Sequence, residues 1–196
     1  MRLVLATANP GKQREFQALL EPLGFSIQMQ SDLGIESVAE TGTTFIDNAL
    51  LKARHATRLA GAPALADDSG IQVDALEGRP GVHSARYAGD YASDAENLAL
   101  LLRELANVPE DQRGACYQCA IVFVRSAEDP APLVARGEWR GRIIDTPRGG
   151  HGFGYDPAFV PDGATHTVAE MPATQKNLVS HRARALASLL AQLEGG

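Results

Sequence analysis

Two adjacent acids, Asp67 and Asp68, stand in the middle of the apolar run ALADDSGIQVDAL, residues 64–76. A buried carboxylate is costly unless it is paired or bound to a metal, so this placement asks for a chemical reason. In an unbroken strand from Ala64 to Ala75, Leu65, Asp67, Ser69, Ile71 and Val73 share one face. Ala66, Asp68, Gly70, Gln72 and Asp74 share the other. Asp68 then lies on the more open, polar face and suits metal binding or base chemistry. Asp67 lies in the apolar row, where it would accept backbone hydrogen bonds or support Asp68 from behind. Asp-Ser-Gly also encodes a surface turn, which would leave both acids in water.

The cations point the same way. The chain has 15 arginines and only 3 lysines, at Lys12, Lys52 and Lys176. Lysine is a compact point charge where arginine is a planar fork, so each retained lysine merits scrutiny. Lys12 closes LATANPGK. There Asn9 is a good N-cap, Pro10 fits a first helical position, and Gly11 lets a ligand approach the backbone. The free N–H groups of that first turn, with Lys12, make an anion site; the same residues also spell a capped helix with a surface lysine. Lys52 lies four residues after Asn48 in ETGTTFIDNALLKA, so the two share a helix face, and Glu40 precedes that helix. An exposed helix face with Glu40 as a charge partner accounts for the same spacing.

Two later segments add recognition chemistry. In GGHGFGYDP the glycines could bring backbone close to a ligand, and Phe153 and Tyr155 offer flat faces for a planar base. A loop with a hydrophobic anchor would read alike. In QKNLVSHRARALASLL, Leu178, Ala185, Leu186, Leu189 and Leu193 form a stripe that also contains Arg182. An inward arginine needs an anion or acceptors. Lys176, His181 and Arg182 do not share one helical face. They converge only around a ligand or if the helix is irregular near Ser180. Anion-binding cations, acids suited to Mg²⁺ and a stacking loop together describe a nucleotide polyphosphate site.

The elements that must position these residues alternate. Residues 2–7 read as a buried strand, followed by a helix with Phe16, Leu19 and Leu20 at helical spacing. Residues 25–30 alternate like a strand. A strong helix over 43–60 carries Phe45, Ile46, Ala49, Leu50, Ala53, Ala56 and Leu59 in one stripe. A further helix covers 94–106, and from about 115 the pattern turns to β. This predicts an α/β fold with a mixed central sheet flanked by helices. The 196 residues suit a single domain, with room for two lobes and a substrate cleft between them.

Composition excludes some partners. A formal charge of −6 argues against a nucleic-acid polymer. No stretch reads as a signal peptide or a membrane span, and a cytoplasmic protein is expected. Cys116 and Cys119 form one C-x-x-C with no second pair to complete a zinc site. Two free thiols in a reducing compartment are the expectation.

TANPGK, ETGTTFIDNALLKA, ADDSG, PGVHSARYAG, GGHGFGYDP and KNLVSHRARAL occur in this order over nearly the whole chain. In this the sequence resembles the inosine triphosphate pyrophosphatase family, close to its bacterial dITP/XTP branch. The resemblance implies an α/β fold with a deep cleft between two lobes, a homodimer, and Mg²⁺ as cofactor. It implies hydrolysis of ITP, dITP and XTP to the monophosphate and pyrophosphate. By the same resemblance Thr7, Ala8, Asn9, Pro10, Gly11 and Lys12 would hold the triphosphate. Glu40 and Asp68 would hold Mg²⁺, Asp68 would accept the proton of the attacking water, and Lys52 would neutralise phosphate charge. Ser69 would contact substrate. Phe153, Gly154, Tyr155 and Asp156 would hold the base, with Lys176, His181 and Arg182 completing the base and sugar pocket. His83 and Ala183 depart from the expected Tyr and Gly, which bears on base preference. A Maf-type pyrophosphatase for modified pyrimidines and a non-catalytic nucleotide sensor are the alternatives; the SHR triplet opposes the first and the paired acids the second.

Overall fold

The computed structural model describes residues 2–195. Six strands form one sheet in the order β2-β1-β3-β4-β5-β6. They are β1 (Arg2–Leu5), β2 (Ser26–Met29), β3 (Ala64–Val73), β4 (Gly114–Val124), β5 (Leu133–Ile143) and β6 (Phe159–Pro161). β1 runs parallel to both β2 and β3, whereas β5 and β6 are antiparallel, so the sheet is mixed. The helices are α1 (Pro10–Leu20), α2 (Phe45–Ala60), α3 (Asp94–Glu104), α4 (Ala173–Val179) and α5 (His181–Glu194). No helix among the described residues is long and apolar enough to cross a membrane.

The chain forms two compact units. Among the described residues the first comprises 2–68, 119–137 and 182–195, and the second 69–118 and 138–181. β3, β4 and β5 each pass from one unit to the other along their length. In the first unit strand alternation sorts the core into two faces. Leu3, Leu5, Leu65, Ile121 and Phe123 pack with Phe16 and Leu20 of α1 and Ala185, Leu186 and Leu189 of α5. Val4, Ala6, Ala64, Ala66, Val122 and Val124 pack with Ala49, Ala53 and Ala56 of α2. The small alanines let α2 lie close to the sheet, bringing Asn48 and Lys52 to Asp68 of β3. In the second unit Ile71, Val73, Tyr117, Trp139 and Ile143 form a core with Leu98, Leu101, Phe159 and Met171.

Local signals account for the helix ends. Asn9 caps α1 by accepting from the Lys12 N–H, with Pro10 in the first turn. Thr44 caps α2, and Gly61 ends it in the left-handed conformation. Ser93 and Glu96 form a reciprocal capping box at α3.

The unbroken strand expected at Asp67 and Asp68 holds, and two positions of the apolar stripes need correction. β3 is continuous through Ser69 and Gly70, so Asp-Ser-Gly makes no turn here. Leu178 does not join the core stripe but is 80% exposed. The helix breaks at Ser180, whose extended backbone (ψ 162°) separates α4 from α5 and resets their phase. Leu59 in the last turn of α2 is exposed as well, beyond the reach of the sheet.

Candidate active site

All three lysines are withdrawn from solvent and paired with an aspartate. In the first unit Lys12 Nζ lies 3.0 Å from Asp67 Oδ2. Lys52 Nζ lies 3.2 Å from Asp68 Oδ1 and 2.5 Å from Glu40 Oε1. In the second unit Lys176 Nζ lies 2.6 Å from Asp156 Oδ2.

The first unit carries two charge clusters on opposite sides of β3, as strand parity requires. On the α2 side Asn48 Nδ2 donates to Asp68 Oδ2 (3.1 Å), and Asn48 Oδ1 accepts from the Gly42 N–H (2.8 Å). Asn48 thereby ties the segment after Glu40 to the strand. Glu40, Lys52 and Asp68 make a cluster of two carboxylates around one ammonium. Burial raises the Asp68 pKa above its ordinary 3.8; Lys52 and Lys12 oppose that shift without cancelling it. A more basic carboxylate suits a proton acceptor. Burial works against the Lys52 charge, but Asp68, Asp67 and Glu40 outweigh it and keep the ammonium protonated.

On the other side Asp67 is fully buried and meets side chains, which corrects the first of its two expected roles, that of accepting from backbone. Its Oδ2 meets Lys12, Arg182 Nη2 at 3.2 Å, and Cys119 Sγ at 4.0 Å. Burial opposes its charge, yet Lys12 and then Arg182 hold it well below the usual carboxylate range. Arg182 is also buried and bonds Glu15. The inward arginine of the sequence stripe thus has its acceptors within the protein. Glu15 was not singled out from the sequence. Its signal was the three-residue spacing from Lys12 on one helix face.

The phosphate-loop residues are held by local bonds. Thr7 Oγ1 accepts from the Asn9 N–H at 3.2 Å, and Gln13 Nε2 donates to the Thr7 carbonyl at 3.0 Å. Thr7 and Gly11 are buried, while Ala8 and Pro10 face solvent.

The second unit holds the aromatic cluster. Asp156 Oδ2 accepts from the Phe153 N–H at 2.9 Å as well as from Lys176, whose ammonium lies 4.7 Å from the Phe153 ring centroid. Asp156 Oδ1 accepts from Tyr117 Oη at 3.0 Å. The Tyr117 ring stacks on His181, 4.7 Å between centroids and 6° between planes. Tyr155 turns inward and donates to the Ser84 carbonyl at 2.7 Å, so it supports the loop rather than offering a face. Gly154 is half-buried, and its N–H donates to Asp94 Oδ2 at 2.8 Å. Ser69 begins this unit as a half-buried residue. Tyr117 was missed because a tyrosine in an apolar strand reads as core; its hydroxyl was the signal, since a buried one finds a partner.

Two glycines of the loop make room for the protein's own chain. A Cβ at Gly152 (φ +76°) would lie 2.0 Å from Asp156 Oδ2, and one at Gly149 (φ +85°) would strike the Ala169 carbonyl at 2.3 Å. Cys116 and Cys119 are both free and buried.

No group of three or more His, Cys, Asp or Glu that could cage a metal occurs among the described residues. Mg²⁺ does not need one. It takes one or two carboxylates together with phosphate oxygens and water. Glu40 and Asp68, hard oxygen donors gathered on one ammonium, fit that donor set.

A family model, that of the Ham1 family, matches residues 3–192. The chain belongs to the Ham1 family. Among Ham1 relatives it is 54% identical over 189 residues to a dITP/XTP pyrophosphatase of Yersinia pseudotuberculosis, covering 96% of each chain. It is 50% identical to the dITP/XTP pyrophosphatase of Escherichia coli K12, covering 100% of this chain and 99% of that one. A solved HAM1 protein from Coxiella burnetii superposes with a TM-score of 0.91 at 42% identity over the whole of both chains. A dITP/XTP pyrophosphatase from Mycobacterium abscessus superposes with a TM-score of 0.76 at 44% identity, over 97% of this chain and 99% of that one. The Ham1 fold is therefore the fold of this chain, and its mixed sheet agrees with the α/β expectation.

Proposed function

We propose that this chain hydrolyses deaminated purine nucleoside triphosphates, namely dITP, ITP and XTP, to the monophosphate and pyrophosphate. The reading includes dependence on Mg²⁺, a homodimeric state and a cytoplasmic setting. The observation that carries the chemistry is the convergence of Glu40 and Asp68 on Lys52. Relatives that carry the name dITP/XTP pyrophosphatase at about half identity support the substrate class. Two free buried thiols suit a reducing compartment.

In this reading Asp68 takes the proton of the attacking water. The water oxygen bonds to phosphorus, the α–β phosphoanhydride breaks, and its electron pair leaves with pyrophosphate. Lys12 and Lys52 face the phosphates as point charges, and the Thr7–Lys12 turn adds backbone N–H donors. Glu40 and Asp68 would hold Mg²⁺, which supplies positive charge to the phosphate oxygens when bound. Lys12 begins in its ion pair with Asp67, and that pair aims it from the start of α1.

Phe153 stacks the base, while Asp156, Lys176 and His181 surround its edge. A 6-oxo purine needs a donor where adenine presents its own N–H₂ group. Lys176 and His181, in the same unit as Phe153, are the donors we assign to it, while Arg182 holds Glu15 and Asp67. A donor left unpaired against adenine costs about 1–3 kcal/mol, roughly 5- to 150-fold in discrimination.

The test is pyrophosphate release from ITP, XTP, dUTP and ATP with Mg²⁺. Rapid release from ITP and XTP with slow release from the others supports the proposal. ATP turned over as fast as ITP overturns the substrate class, and binding without release leaves the nucleotide sensor.

A further inference from the structure

Tyr117 contacts both Asp156 and His181 of the proposed base site. Its hydroxyl donates to Asp156 Oδ1 at 3.0 Å. Its ring lies flat against the His181 imidazole, and the Phe159 ring meets it edge-on with centroids 4.8 Å apart. The ring is thus clamped between two aromatic neighbours within the core of the unit. It sits on β4, a central strand, which fixes its backbone as firmly as its ring.

The consequence follows from how Asp156 is held. The Phe153 N–H and the Lys176 ammonium both bond Oδ2. The Tyr117 hydroxyl holds the other oxygen and so helps to set the carboxylate plane. Asp156 in turn sets Lys176, which shares its position with the Phe153 ring. The other side of the site depends on the same residue, because the offset stack fixes the plane of His181 and so the directions of its ring nitrogens.

We propose that Tyr117 is a positioning residue for base recognition: its hydroxyl aligns Asp156 and Lys176, and its ring aligns His181. This rests on the reading of the cluster as the purine-base site. Tyr117 touches no reacting atom, and its loss leaves the phosphate chemistry in place.

Tyr117→Phe keeps the ring and its two aromatic contacts and removes only the hydroxyl. The KM for ITP is expected to rise roughly tenfold or more, with kcat within about twofold, since one hydrogen bond to a charged group is lost. The ratio of kcat/KM for ITP over ATP falls by a similar factor. Inhibition by inorganic tripolyphosphate, which has no base, stays unchanged. Tyr117→Leu also loses the stack and lowers the ratio further. Thermal melting of each variant accompanies the kinetics. A merely structural role predicts a lower melting point with the ITP/ATP ratio unmoved, and that result in Tyr117→Phe overturns the inference. Equal weakening of ITP and tripolyphosphate overturns it too. Wild-type protein that does not prefer ITP to ATP overturns the functional reading, and this inference with it.

Discussion

Asp67 and Asp68 are neighbours in sequence but hold different lysines. Asp67 holds Lys12 at 3.0 Å on one side of β3, and Asp68 holds Lys52 at 3.2 Å on the other. The pleat of an unbroken strand separates two like charges that would otherwise repel, and each meets its own cation. The two pairs also differ in poise. Asp67 is held firmly ionised, whereas burial leaves Asp68 more basic than an ordinary aspartate.

Asp68→Asn is expected to reduce single-turnover hydrolysis of ITP by about 10²- to 10⁴-fold, the usual worth of a positioned base. Stability should hardly change, because burial already disfavours the Asp68 charge. Equilibrium binding of ITP, followed by fluorescence or calorimetry, should stay within a few-fold. A variant that retains most of its turnover would remove Asp68 from the chemistry.

Asp67→Asn should act chiefly on folding. It strips the counter-charge from Lys12 and buried Arg182, and breaking a buried pair costs about 3–5 kcal/mol. For a chain of this size that lowers the melting point by roughly 6–20 °C. The sign of the pH dependence follows from a lowered folded-state pKa. The stabilisation from Asp67 is complete above the ordinary 3.8 and is lost as pH falls below it toward the folded value. Melting measured in EDTA should therefore show wild type and Asp67→Asn converging below about pH 4. A gap that persisted unchanged into stronger acid would contradict the ion-pair account.

Glu40→Gln should raise the Mg²⁺ concentration needed for half-maximal turnover, because one hard carboxylate donor becomes a neutral amide. Chelation with EDTA should abolish turnover and leave far-UV circular dichroism unchanged. Turnover that survived thorough chelation would argue against metal at this site.

Gly152→Ala should disturb base recognition from a distance. Its Cβ would fall 2.0 Å from Asp156 Oδ2, in a backbone conformation that alanine adopts poorly. The KM for ITP should rise more than in Tyr117→Phe, with a fall in melting point of a few degrees. A crystal structure of the variant with Asp156 still on Lys176 and Phe153 would refute this account.

The native protein should show no fast-reacting thiol towards Ellman's reagent near neutral pH, and two after denaturation, since both cysteines are free and buried. Burial and the neighbouring Asp67 push the Cys119 thiol up to about 12. A rapidly labelled thiol in the folded protein would show that the first unit opens more readily than its packing indicates.

Much of this was legible in the sequence. Strand periodicity over Ala64–Val73 separated Asp67 from Asp68, because alternation is a local property of extended chain. Asn9, Pro10 and Thr44 marked helix starts for equally local reasons, since a cap needs only its own first turn. The rarity of lysine flagged three residues that all prove to be partly or fully buried in ion pairs. What each lysine pairs with was not legible. Lys176 and Asp156 are twenty residues apart, and Asp67 and Arg182 more than a hundred, so only the packing of α5 and β3 in one unit could join the latter. The same holds for Leu178, whose exposure depends on a helix break at Ser180, and for Tyr117, which nothing in its own segment singled out. The sequence by itself determined which residues carry charge, which face of a strand or helix they occupy, and the family to which they belong. The tertiary structure alone decided their partners, because a buried charge is stabilised by whatever the fold brings within about 3 Å, and that distance is set by packing across the chain.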